Sequence, residues 1–368
     1  MPQSLSVPDL SLFHASTQVP QPASIKRLAS GVEAWNEWRS RTAQMLAAQG
    51  AQGAQGRINL REAVLKNAQL RDINLSKVDC CMADLRKADL SHADLRETLF
   101  YTANLSYANL SYANLSGADL REASLHDARL QGATLNSANL THADLTRSVL
   151  REAQFRQADL RHASLNQADA CMVQFSEADL AWADLSSAAL YTADLSRCNL
   201  SSATLNQADL REANFAMATL QDALMHEVDL RAAICSAANM IGAALHGANL
   251  TIANLSLTNL CMANLSRACL EGTTLIGANL IGANLHQAKL ARANCENADL
   301  REAIMRKADL QGANFRFADL KMANLSETNL QGANLTGADL SQANVWQANL
   351  KDACLIDAVM PDGNLYSA

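Results

Sequence analysis

Residues able to do chemistry are plentiful in this 368-residue chain, but their spacing does not assemble a reaction. Nine cysteines are scattered along it and none forms a CxxC pair, so neither a zinc ribbon nor a disulfide framework is indicated, and a reducing compartment is expected. His226 and His246 stand twenty residues apart with Glu227 beside the first, a donor set that suits a transition metal if the fold brings them together. Carboxylates recur just before leucines, as at Asp159 and Asp179. One such residue in segment after segment reads as repeat grammar, solvated or bonded to backbone near a corner, and not as a paired general acid and base. Glycines such as Gly117, Gly277 and Gly282 are dispersed and form no phosphate-cradling loop. No catalytic, cofactor or metal site is assigned, and the chain is not expected to be an enzyme.

What must position these residues is a period of five. From Leu60 to Leu365 every fifth residue is Leu, Phe, Met, Cys or Val, with a single Ala at Ala170. The residue two before it is small, usually Ala, and the one between is usually Asp or Asn. On an α-helix five residues advance by about 500°, so successive leucines would visit every face. On a flat strand an odd step sends them to alternate sides. The column is buried only if the chain turns a corner within every five residues, with the Leu and the small residue facing inward and stacked coils pairing their backbones. Such a period sustained over five-sixths of a chain signals a solenoid. Phe100, Phe155, Phe175, Phe215 and Phe315 fall in the same column and are expected to pack inside. By the same count Cys80, Cys198, Cys235 and Cys295 point inward, and Cys81, Cys171 and Cys261 outward.

The runs ANLSYANLSYANLSGADL (Ala103 to Leu120) and IGANLIGANLHQAKL (Ile276 to Leu290) resemble pentapeptide-repeat proteins. The resemblance implies an all-β solenoid, a right-handed quadrilateral β-helix in which four pentapeptides make one square coil. On that geometry the repeats build about 15 coils and a rod about 75 Å long, and His226 and His246 lie about 4.8 Å apart. Three segments follow: an extended N-terminus (1–23), a helix with a Gly/Gln/Ala joint (24–56), and the β-helix (57–368). Ser24 to Ala48 reads as one helix in which Ile25, Leu28, Val32, Trp35, Trp38 and Met45 share a face. Its GVEAWNEWR segment resembles the WNxWR element that precedes the repeats in bacterial members. Trp35, Asn36, Trp38 and Arg39 are therefore expected to cap the open first coil, since an uncovered β-edge invites aggregation.

The repeats run to Leu365, and the C-terminal dimerisation module of topoisomerase-directed members has no counterpart here. A homodimer through the open last coil is one expectation, with Pro361 and Gly363 blunting that edge otherwise. No run of eighteen apolar residues suggests a membrane span, and no targeting signal is seen, so a cytoplasmic protein is expected.

The net charge of −7 disfavours direct nucleic-acid binding, which needs a basic footprint. Aspartates before Leu concentrate between Asp79 and Asp229, whereas Asn replaces them from Asn239 to Asn294. The Asn stretch carries outward apolar residues: Ile241, Met262 and Ile281 on one face with Trp182 further along it, and Leu257 and Ile276 on the adjoining face. A cluster of exposed apolar residues suggests a protein partner of unknown identity, or self-association. The expected role is a scaffold presenting flat faces to that partner. An alternative comes from the resemblance: some family members imitate DNA and bind gyrase or topoisomerase IV, type II topoisomerases that they modulate or protect. The acidic first half suits that reading, and interleaved pairs such as Arg121-Glu122 and Arg211-Glu212 speak against it.

Overall fold

The computed structural model of the protein describes residues 23–48 and 57–366. The expected extended N-terminus (apart from Ala23), the joint from Gly50 to Gly56, and Ser367 and Ala368 lie outside the described residues. The chain divides into two compact units, 1–164 and 165–368. Both are built from the same five-residue cycle of turn and β-bridge.

The backbone of one pentapeptide explains the cycle. In the first unit, Leu120 N donates to Asn139 O (2.7 Å) and Glu122 N to Thr141 O (3.1 Å), both in the following coil. Ser124 N donates to Ala103 O in the preceding coil (3.0 Å), and Ala123 N closes a tight turn on Leu120 O (3.0 Å). The fifth amide, Arg121 N, donates to Asp119 Oδ1 (3.3 Å). All five N–H groups are thus satisfied, as buried backbone requires. The Asp or Asn before each Leu is the residue that accepts the otherwise homeless amide. The second unit repeats this around Leu210, where Arg211 N donates to Asp209 Oδ1 (3.3 Å). Where another residue stands there, the neighbouring coil can compensate: Leu224 offers no acceptor, and His226 N donates instead to Asn206 Oδ1 (2.9 Å).

Parallel bridges join the residue before a column position to the one twenty positions on, as in Asn104↔Ser124 and Asn199↔Thr219, so a coil is four pentapeptides. The corner comes from the second residue after Leu, which sits at positive φ, as at Glu122 (φ 57) and Glu212 (φ 58). This is the geometry that the third residue of a type II turn demands. Leu120, Leu210 and the column residues between Leu75 and Leu340 are buried, as are the five column phenylalanines and the alanines two before Leu in that span. Buried Thr and Cys at the Ala position return their polar atoms to carbonyls: Thr258 Oγ1 to Cys235 O (2.7 Å) and Cys198 Sγ to Phe175 O (2.7 Å).

Three expectations are corrected. The segment from Ser24 to Ala48 is two helices, α1 (Ala23–Leu28) and α2 (Val32–Ala48). Gly31, at φ 100, takes a conformation that a helix interior excludes. Leu28 and Trp35 are buried, whereas Met45 is exposed. Cys81, expected outward, is buried. The inward column ends at Met360, because the turn at Pro361–Gly363 folds the chain back. Val359 then pairs antiparallel with Leu365, and Leu365 lies outside.

Candidate interaction surfaces

In the first unit, α2 lies along one side of the first coil. Trp35 is wholly buried and its Nε1 donates to Asn74 O (2.7 Å). Asn36 pairs with the same coil in both directions: its Nδ2 donates to Asp72 O (3.0 Å), and Asn74 N donates to its Oδ1 (2.9 Å). One coil later the equivalent amide, Asp94 N, is held by the carbonyl of Ile73 (2.8 Å), so the Asn36 carboxamide stands in for a missing coil. Arg39 Nη2 donates to Ser76 O (2.5 Å), and burial lowers the guanidinium's pKa. Trp38 is half-buried, meets Trp35 edge to face (5.2 Å), and lies beneath the Arg27 guanidinium (4.4 Å). Beneath these contacts Leu60, Leu65, Leu70 and Leu75 are buried, whereas Val345, Leu350, Leu355 and Met360 at the other end of the repeats are only half-buried.

In the second unit, Met262 and Leu257 are 66% and 68% exposed, and Ile276 is more modestly so. Ile241 and Ile281 are half-buried. Coil stacking brings four of them together: Met262 N donates to Ile281 O, and Leu257 N to Ile276 O, both at 2.9 Å. Trp182 is exposed but stands several twenty-residue steps earlier. The bridges Asn239↔Asn259↔Asn279 align residues 236–242, 256–262 and 276–282, so Leu257 and Ile276, expected on the adjoining face, flank the same face as Ile241, Met262 and Ile281, and no charged residue stands in any of the three.

The exposed side chains of these corners also lie over glycines one coil on. A Cβ built on Gly282 would stand 2.6 Å from Met262 Sδ, and one on Gly277 3.0 Å from Leu257 Cδ2. The same pairing recurs at Tyr112 with Gly132 and Phe317 with Gly337. Each glycine sits at positive φ and leaves room for a large side chain to fold flat on the surface.

Charge is more tightly paired than the sequence suggested. The arginine two residues after the Asp, and not the adjacent Glu, completes the pattern. Arg121 donates Nε to Asp119 Oδ1 (2.8 Å) and Nη2 to Oδ2 (2.7 Å). In the second unit Arg211 grips Asp209 in the same way, at 2.7 Å for both bonds. Such pairs hold Asp84, Asp94, Asp119, Asp209 and Asp299 below the ordinary carboxyl value, with the arginine hydrogen bond as the main cause in each. Because the folded value is depressed, the stabilisation is present above the ordinary value of 3.8 and is lost as pH falls through the folded value. The melting temperature is therefore expected to hold from neutral pH to about pH 4.5 and to fall steadily below it. A thermal-melt series across that range checks this, and a melting temperature that does not change at low pH would refute it. Coil-to-coil contacts extend the pairing in the second unit, where Lys321 Nζ lies 3.5 Å from Asp319 and 3.1 Å from Asp339.

The histidine pair singled out by its spacing does not stack. His226 and His246 stand with ring centroids 6.4 Å apart and planes at 62°, and His246 Nδ1 is 2.9 Å from Ser266 Oγ. Glu227 instead accepts from Gln207 Nε2 (3.1 Å). Among the described residues no three His, Cys, Asp or Glu side chains are grouped to hold a metal ion. Burial pushes the Cys235 and Cys295 thiols up to about 12, so they are inert as nucleophiles at neutral pH. No described helix is long and apolar enough to cross a membrane.

The family model described as pentapeptide repeats matches eight copies, in segments that together cover residues 58–136, 138–231 and 238–357. Among solved structures, the chain is similar to HetL, a pentapeptide repeat protein involved in heterocyst differentiation regulation from the cyanobacterium Nostoc. The two are 32% identical over 75% of this chain and 92% of HetL, with a TM-score of 0.28. A pentapeptide repeat protein of the Arabidopsis thaliana thylakoid lumen is 31% identical over 24% of this chain and 61% of its own, with a TM-score of 0.24. QnrB1, a plasmid-mediated fluoroquinolone resistance protein, is 17% identical over 48% of this chain and 83% of its own, also with a TM-score of 0.24. No curated protein matches the chain.

Proposed function

The chain belongs to the pentapeptide-repeat family, and on that premise we propose that it is a non-enzymatic, cytoplasmic scaffold for protein–protein interaction. On this reading residues 57–368 form a right-handed quadrilateral β-helix of about 15 coils. Residues 24–56 cap its first coil through Trp35, Asn36, Trp38 and Arg39. The partner-binding residues are Leu257, Met262, Ile276, Ile241 and Ile281, with Trp182 as an outlying contact.

The observation that carries the reading is the uncharged face formed by residues 236–242, 256–262 and 276–282, with Met262 and Leu257 exposed on it. A protein partner can cover such a face without desolvating charge, which is the costly part of burying a surface. Topoisomerase binding by DNA mimicry is less well supported, because the Asp–Arg pairs neutralise the acidic columns that such mimicry would display.

The double variant Met262→Asp, Ile281→Asp tests the reading. Its melting temperature is expected to stay within a few degrees of the parent, since one side chain is exposed and the other half-buried, while co-purification of the partner falls at least about tenfold. Unchanged co-purification would sink the assignment of this face. A gyrase supercoiling assay with the parent protein discriminates the alternative: inhibition, or rescue from a fluoroquinolone, would move the function to the mimicry class.

A further inference from the structure

We propose that His142 and His162, in the first unit, form an open two-histidine site for a divalent transition-metal ion. Both occupy the second position after a column leucine, and both have the positive φ of that corner (60 and 59). The bridge Asn139↔Asp159 and the hydrogen bond from His142 N to Arg161 O (3.0 Å) fix their coils in register. The consequence is a parallel pair of imidazoles, with centroids 4.7 Å apart and planes within 6°, exposed at the surface. This is the arrangement that His226 and His246 were expected to show and do not.

Imidazole nitrogen is a donor for borderline transition metals, at about 2.0–2.1 Å for zinc. Turning two rings this close about their broad terminal torsions aims one nitrogen of each at a common ion. The backbone is already fixed by the ladder, so little ordering remains to oppose binding. The adjacent cation, Arg161, is neutralised by Asp159, which accepts from its Nε (2.9 Å) and Nη2 (2.7 Å). No group of three protein ligands exists among the described residues, so water or a partner's donor would complete the coordination shell. Affinity for such a nitrogen pair should follow the usual divalent order, with nickel and copper above cobalt.

The test is calorimetric titration of the full-length protein with nickel sulfate alone near neutral pH. One saturable site is expected, in the range of about 1–100 μM, accompanied by a raised melting temperature. His142→Ala and His162→Ala should each weaken it at least about tenfold, and His226→Ala should leave it unchanged. Thermal melts of the metal-free variants check that these surface changes leave the fold intact. No saturable heat, or heat that survives in His142→Ala, would overturn the proposal; survival would assign the binding to thiols or other histidines.

Discussion

Replacing Trp35 with Ala is expected to expose the first coil and to destabilise that end of the protein by about 3–5 kcal/mol, the usual cost of deleting a buried aromatic side chain. Trp35 is fully buried and ties α2 to the first coil through Asn74 O. Losing the ring also loosens Asn36, whose carboxamide occupies the hydrogen-bonding groups of the strand edge. In a one-dimensional array the damage should stay local. Amide hydrogen exchange should therefore quicken at Leu60, Leu65, Leu70 and Leu75 and remain slow around Leu210. The exposed edge should also promote self-association, which light scattering at rising concentration would detect. Uniform exchange protection in the variant would show that α2 does not hold this end together. Asn36→Ala is a milder companion, expected to cost about 1–3 kcal/mol because it leaves Asn74 N without its acceptor.

The larger effect is expected inside the column. Leu210→Asp places a carboxylate between Leu190 and Leu230, both fully buried, in an apolar stack that offers it no cation. A loss of more than about 4–5 kcal/mol is expected, in the range reached only when a charge is buried unpaired. Two further variants separate charge from volume. Leu210→Ala should cost about 2–5 kcal/mol by leaving a cavity, and Leu210→Met less than about 1.5 kcal/mol because it conserves volume. Urea unfolding followed by circular dichroism measures all three. If Asp and Ala were equally damaging, the interior would have to admit water, and the dry packing of the column would be wrong. Neighbouring backbone bonds such as Leu210 N to Asp229 O (2.8 Å) involve no side chain, so the three variants isolate the side chain as the cause.

The inner column, Leu365 apart, and the need for the chain to turn every five residues could be read without coordinates. Leu at every fifth position, with Ala two before it, is satisfied by no straight element, so periodicity alone implied a solenoid. The WNEWR segment likewise put Trp35, Asn36 and Arg39 at the start of the repeats, and all three touch the first coil. The residue before Leu was legible as repeat grammar, although its task of accepting the fifth amide emerged only from the hydrogen bonds.

The side-chain contacts between neighbours twenty residues apart waited for the folded chain. Whether two histidines stack depends on side-chain torsions that the period does not set: His226 and His246 stand at 62°, whereas His142 and His162 lie parallel. The pairing of Asp119 with Arg121 was hidden because the eye joins Arg121 to Glu122, yet the corner turns Glu122 aside toward the Tyr101 hydroxyl. The break at Gly31 and the return of Leu365 along Val359 are local conformations that no period announces. A repeat specifies the column because burial acts on every copy alike. The surface is specified one contact at a time, and only stacking reveals which contacts exist.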